Sequence, residues 1–195
     1  TIEERRQIEE NVAEAREKIA AAAVRAGKQE KPVSGLEVWG KTIGVIGTGR
    51  IGKGVVQRAA GFNMNILAND AYPDHAFLER FGGQYVDLDR IYREADFITI
   101  HAPLTDATNN MINERALSMM KPTAVLINAA RGGIVDEAAL YMALKEHRIY
   151  GAALDATEIE PACGSPLALL DNCILTPHAG AATREASLKM GLLAA

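Results

Sequence analysis

Apolar positions along this chain repeat with two different periods. From Thr1 to about Ala26, residues Ile2, Ile8, Val12, Ala15, Ile19 and Ala23 recur about every three to four positions among Glu, Arg and Lys. That spacing predicts one long amphipathic helix with Gly27 as its stop. Gln29 to Lys41 carries Pro32, Ser34, Gly35, Trp39 and Gly40 and reads as a linker. The period then changes. Thr42-Ile43-Gly44-Val45-Ile46 is a short β-branched run bounded by glycines, which predicts a buried strand. Helical spacing follows over Lys53 to Ala60, and a second apolar run over Met64 to Ala68.

The alternation continues to the end of the chain. Helices are expected over Asp74 to Arg80, Asp87 to Glu94, Asn113 to Met120 (broken by Pro122) and Asp136 to Glu146, with Asp136 as an N-cap. Strands are expected at Tyr85-Val86, Phe97 to His101, Ala124 to Asn128, Tyr150 to Leu154 and Ile174-Leu175. The stretch up to Leu170 reads as irregular, and Arg184 to Ala195 as a final helix. Strands alternating with helices imply right-handed βαβ units and a doubly wound parallel α/β sheet. Ligands of such sheets collect at the carboxyl ends of the strands, which selects the loops after Ile46, His101, Asn128, Leu154 and Leu175.

Gly47-Thr48-Gly49-Arg50-Ile51-Gly52 follows the first strand and fits G-x-G-x-x-G. One glycine permits the tight turn, one lets the backbone approach a pyrophosphate, and one lets the helix pack on the strand. The opening of that helix presents free N–H groups and a positive dipole end. Asp70 ends the second strand roughly twenty positions beyond Gly47, where a Rossmann-type site places an acid on the adenosine ribose hydroxyls. A strand-end cap is its other reading. Asn69, Ala71 and Tyr72 supply no cation for a 2′-phosphate, so NAD is expected over NADP.

Composition narrows the classes. Of 195 residues, 48% are hydrophobic and 24% charged, ordinary for a globular protein. A net charge of −4, without a concentrated Lys/Arg run, argues against a nucleic-acid surface. The charged start of the chain and the lack of any apolar run of membrane-spanning length give a cytoplasmic expectation, with no membrane partner. Cys163 and Cys173 lack metal-ligand spacing and read as reduced bystanders, so no metal is expected.

Three successive post-strand loops carry candidate chemistry: Arg131 in Asn128-Ala129-Ala130-Arg131-Gly132-Gly133, an acid among Asp155, Glu158 and Glu160, and His178 in Thr176-Pro177-His178-Ala179-Gly180. An arginine there suits a substrate carboxylate. A histidine suits a general base, oriented by an acid, with hydride transfer left to the cofactor.

Together, G-T-G-R-I-G, H-A-P-L, N-A-A-R-G-G-I-V-D-E, G-A-A-L-D…E-P and T-P-H-A-G make the chain, from about Trp39 onward, resemble the D-isomer-specific 2-hydroxyacid dehydrogenases, and within them the phosphoglycerate dehydrogenase branch. The resemblance implies Arg131, Glu160 (the acid directly before Pro161) and His178 as catalytic residues. It implies Gly47, Gly49, Arg50, Ile51, Gly52, Asp70, Ala102, Ala129, Arg131, Asp155, His178 and Gly180 as cofactor contacts. It also implies a small 2-hydroxy or 2-oxo acid substrate, 3-phosphoglycerate in that branch. In that family the nucleotide domain is inserted into a substrate domain built from both chain ends. Neither a preceding βα domain nor a glycine-rich substrate-carboxylate loop is visible, so this chain reads as the nucleotide-binding half, with the substrate domain largely absent. The expected parts are an N-terminal helix and linker (1–38), an NAD-binding Rossmann domain (39–183) and a closing helix (184–195), with the first helix pairing two copies into a homodimer. A catalytically silent NAD-sensing or corepressor-like module on the same fold is the alternative.

Overall fold

The computed structural model describes residues 35–162 and 164–194. The expected first helix, the start of the linker, Cys163 and Ala195 lie outside the described residues. The elements are β1 (Thr42–Ile46), α1 (Arg50–Gly61), β2 (Asn65–Asn69), α2 (His75–Glu79), β3 (Gln84–Tyr85), α3 (Leu88–Glu94), β4 (Phe97–Ile100), α4 (Glu114–Met119) and β5 (Val125–Asn128). They continue with α5 (Glu137–Lys145), β6 (Gly151–Leu154), a 3-10 turn (Pro166–Leu169), β7 (Cys173–Leu175) and α6 (Arg184–Ala194). The seven strands form one parallel sheet in the order β3-β2-β1-β4-β5-β6-β7. This is the doubly wound Rossmann-type arrangement, with the chain turning back on itself between β1 and β4.

Alternation along each strand divides the core between the two sheet faces. Ile43 and Val45 of β1, with Ile66 and Ala68 of β2, pack against Val56 and Ala59 of α1 and Phe77 and Leu78 of α2. Ile46, Leu67, Ile98 and Ile100 point the other way, toward Ile91 of α3 and Leu117 of α4, and join a cluster reaching Leu140 and Leu144 of α5. Burying an isoleucine such as Ile98 or Ile100 completely, as here, contributes about 1.5–3 kcal/mol. Four helices begin on a side-chain cap: Asp74, Asp87, Asn113 and Asp136 accept from the backbone N–H three residues on.

The register puts the strand ends in one line. Asn69, Ile46, Ile100, Asn128, Leu154 and Leu175 are successive partners across β2, β1, β4, β5, β6 and β7. The residues just beyond that row are therefore Asp70, Gly47, His101, Ala129, Asp155 and Thr176, so every loop singled out above opens on the same edge.

Two local readings change. The strand expected at Tyr85-Val86 is Gln84–Tyr85, which pairs with Leu67 and Ala68 of β2. Val86 closes the ladder through its N–H to Ala68 O at 2.9 Å. Within the stretch expected to be irregular, Pro166–Leu169 forms a 3-10 turn, capped by the Ser165 hydroxyl and anchored by fully buried Leu167.

Candidate active site

The β1–α1 turn shows what each glycine does. Gly47 has φ +89°, and a Cβ there would fall 2.7 Å from Ala102 N, so the turn lies directly against the loop leaving β4. At Gly52 a Cβ would lie 1.9 Å from Gly47 O, so only a glycine lets α1 start that close to the strand. Gly49 meets neither limit: a Cβ there would touch nothing within 4 Å. The protein's own packing leaves the space above Gly49 open for something else. Beside it, α1 begins without a side-chain cap and without an acid in its first turn, so its N–H groups and dipole suit an anion. An uncapped helix start facing open space fits a dinucleotide pyrophosphate. Arg50 is exposed in the same turn. Ile51, Ala102, Ala129 and Arg131 line one cavity of about 550 Å³ in front of it, together with His101.

Asp70 is held firmly. Its Oδ2 accepts from Thr48 N at 2.5 Å and Thr48 Oγ1 at 3.0 Å, and its Oδ1 accepts from Tyr72 N at 2.8 Å. Burial opposes its ionisation, but those hydrogen bonds and the nearby Lys53 charge outweigh it, and the carboxyl lies below its usual range. Asp70 is an anion with lone pairs left for further donors.

A second cavity of about 300 Å³ opens after β6 and β7, lined by Asp155, Thr157, Glu160, Thr176 and His178. His178 Nδ1 lies 3.0 Å from both carboxylate oxygens of Glu160. The hydrogen bond from His178 is the main reason the Glu160 carboxyl sits below its usual range. Asp155 fastens the loop that carries the histidine. Its Oδ1 accepts from Thr176 Oγ1 at 2.5 Å and Ala179 N at 2.8 Å, and its Oδ2 accepts from Gly180 N at 2.9 Å. The first two of these bonds depress the Asp155 carboxyl most, and burial opposes them. A Cβ on Gly180 would come within 3.0 Å of the same oxygen. His178 itself takes a left-handed backbone conformation, φ +51°.

Arg131 does not touch this pair. It is exposed, its Nη1 donates to Ala130 O at 2.7 Å, and it faces the larger cavity. The structure thus joins Glu160 to His178 and sets Arg131 one strand away. The two loops are nonetheless tied. Buried Asn128 donates from Nδ2 to Arg131 O at 2.8 Å and Ala156 O at 3.4 Å, and accepts from Ala130 N at 3.1 Å. Gly132 packs so closely on Thr157 that a Cβ would fall 2.0 Å from its carbonyl oxygen. Glu137 and Glu158 cap each other, Glu158 N to Glu137 Oε1 at 2.6 Å and Glu137 N to Glu158 Oε1 at 3.1 Å. Thr48, Asn128, Glu137 and Lys53 were not singled out in the sequence. A polar residue closing an apolar strand, as Asn128 does, is the one local signal that points to such a hub.

Residues 7–180 match the family described as D-isomer specific 2-hydroxyacid dehydrogenase, NAD binding domain. The chain belongs to this family. As a 2-hydroxyacid dehydrogenase NAD-binding domain it is 47% identical to a D-3-phosphoglycerate dehydrogenase of Methanocaldococcus jannaschii, over 90% of this chain and 34% of that protein. It is 48% identical to a glyoxylate reductase of Pyrococcus furiosus, over 83% of this chain and 48% of that protein. The fold superposes on a D-lactate dehydrogenase with NAD+ from Lactobacillus jensenii with a TM-score of 0.76 and 35% identity, covering 87% of this chain and 56% of that one. The domain thus spans a third to a half of the length of these curated relatives. The names of these relatives differ in substrate, and the family description gives the cofactor, NAD. No helix among the described residues is long and apolar enough to cross a membrane.

Proposed function

We propose that this chain is the cofactor-binding part of an enzyme that transfers hydride between NAD and a D-2-hydroxy acid. The observation that carries this reading is the hydrogen-bonded His178–Glu160 pair, set on the sheet edge that also holds the glycine turn. NAD supplies the hydride acceptor at its nicotinamide ring. The glycine turn and the start of α1 hold the pyrophosphate, and Asp70 accepts from the ribose hydroxyls. Ile51, Ala102 and Ala129 line the larger cavity, where the rest of the dinucleotide would lie. Arg131 presents its fork to the substrate carboxylate. With Nδ1 engaged by Glu160, His178 meets the substrate hydroxyl through Nε2 and takes its proton as hydride leaves the same carbon. Glu160 fixes the ring and stabilises the imidazolium that forms. Asp155, bonded to Thr176, Ala179 and Gly180, keeps the histidine in place and, with Gly180, would meet the nicotinamide amide.

As substrate we propose 3-phosphoglycerate, with serine biosynthesis as the setting. The likeness of the motifs to the phosphoglycerate dehydrogenase branch, with 47% identity to one such protein over 90% of the chain, supports this choice. The same reading gives a cytoplasmic homodimer with no nucleic-acid partner, supported by the apolar stripe of residues 1–26 and the net charge of −4. Calorimetric titration of the chain with NADH, beside Asp70→Ala, tests the cofactor half. NADH binding that weakens in the variant is expected, and equal binding by both refutes the role of Asp70. Turnover of 3-phosphoglycerate and glyoxylate by the full-length enzyme decides the substrate.

A further inference from the structure

Lys53 lies one residue beyond Gly52, in the first turn of α1, and its ammonium is already taken. It forms an ion pair with Asp74 Oδ2 and stands 4.8 Å from the centroid of the Phe77 ring. Arg80 is the other cation at that ring, at 5.4 Å. Lys53 is also near enough to Asp70 to act on its carboxyl electrostatically. Asp70 and Asp74 are in turn the two ends of one hydrogen-bonded chain. Asp74 N donates to Tyr85 Oη at 3.0 Å, Tyr85 Oη and Thr48 Oγ1 are 2.8 Å apart, and Thr48 Oγ1 donates to Asp70 Oδ2 at 3.0 Å. Taken in that direction each hydroxyl accepts once and donates once, so the chain is internally complete and fixes the two acids relative to each other.

A 2′-phosphate in place of the ribose hydroxyl would bring its charge up against Asp70, and only a cation could offset the repulsion. Residues 69, 71 and 72 offer none, but the fold brings Lys53 in from α1, and Asp74 neutralises it. We propose that Asp74, by pairing with Lys53, is a second determinant of the preference for NAD over its 2′-phosphorylated form, alongside Asp70. This rests on the reading of Asp70 as the ribose acid. Asp74 divides its work between its two oxygens: Oδ1 accepts from Phe77 N at 3.1 Å and caps α2, while Oδ2 holds the lysine. Asp74→Asn therefore keeps the cap and removes the charge.

The test is calorimetric titration of the whole chain with NADH and NADPH, for wild type, D74N, D70N and D74N/K53M. In D74N the NADPH Kd is expected to fall about tenfold, the effect of one charge-assisted contact, with NADH changed by less than about twofold. Lys53→Met in the same chain is expected to abolish the gain. An unchanged NADPH Kd in D74N overturns the proposal, and so does a gain that survives K53M, which would come from net charge alone. D70N that leaves the NADH and NADPH affinities of wild type unchanged refutes instead the reading of Asp70, and wild type that binds neither nucleotide refutes the cofactor site as a whole.

Discussion

Gly52→Ala places a methyl group where the turn already has an oxygen. The new Cβ would lie 1.9 Å from Gly47 O, whereas real contacts stay beyond 3.0 Å, so helix and turn must separate by about 1 Å. The turn has little room to yield. Gly47 lies against the His101–Ala102 main chain and donates its N–H to Asn69 O at 2.8 Å. The helix must give instead, at about 1–3 kcal/mol for overpacking, offset by the roughly 1 kcal/mol that Ala gains over Gly within a helix. A net loss of up to about 2 kcal/mol lowers the unfolding midpoint by up to about 8 °C for a domain of this size. Cofactor binding suffers more. An N–H···O bond of about 2.9 Å lengthened by 1 Å is no longer a hydrogen bond, and losing two charge-assisted bonds of about 1.5–3 kcal/mol each weakens NADH by about a hundredfold or more. Scanning calorimetry and NADH titration measure the two effects. Gly49→Ala is the counterpart: its methyl meets no protein atom within 4 Å, so the midpoint is expected to hold within about 1 °C while NADH weakens about tenfold. Gly52→Ala that binds NADH within about threefold of wild type, or Gly49→Ala that destabilises the fold as much as Gly52→Ala, would refute the assignment of the turn.

In the full-length enzyme His178→Ala is expected to lower turnover by about 100- to 10,000-fold and leave the NADH Kd within about twofold; loss of NADH binding would make the histidine structural. Asn128→Ala removes the group joining the loops after β5 and β6 and strands buried partners, for an expected loss of about 2–4 kcal/mol in urea unfolding, and a loss below about 0.5 kcal/mol would contradict the hub. Burial and the adjacent Glu158 carboxylate raise the Glu137 carboxyl, although the Glu158 N–H acts in the opposite direction. A carboxyl raised in the folded state favours folding below its ordinary value of 4.5 and loses that contribution as pH rises through its folded value. Glu137→Gln is therefore expected to melt about 1–3 °C above wild type at pH 7, with the gap closing toward pH 4, and the reverse order would refute it. Asp70 and Asp155 carry the opposite sign: their carboxyls are depressed, so they stabilise the fold above 3.8 and cease to do so in acid.

The central strands were plain in the sequence because runs such as Ile43 to Ile46 and Phe97 to Ile100 lie in the middle of the sheet and are almost wholly apolar, with Thr99 the one polar residue among them. The Pro166–Leu169 turn was not, since four residues hold no helical period, and its stability comes from Leu167 reaching a distant core. β3 moved by one residue for a similar reason: a two-residue edge strand is placed by its partner rather than by its own side chains. At the site, residues that stand next to a strand end were legible. Lys53 was not, because its partners Asp74 and Phe77 belong to a different βα unit. The separation of Arg131 from His178 was equally hidden, since spacing along the chain assigns both to the sheet edge but says nothing of the cavity each faces.

The strand order also sets a sequence of assembly. Synthesis delivers β1, β2 and β3 first, extending one way from the middle, and then β4 to β7, extending the other, each strand joining a neighbour already present. The glycine turn and Asp70 are complete once β4 closes on β1, and Gly47 is boxed in by the chain that follows β4. His178 depends on three-residue β7 at the far margin, the last of the seven strands to be added and, like β3 at the opposite edge, one with a single hydrogen-bonded partner. A growing or fraying domain of this kind forms its glycine turn before its His178–Glu160 pair, and under stress it loses the two in reverse order.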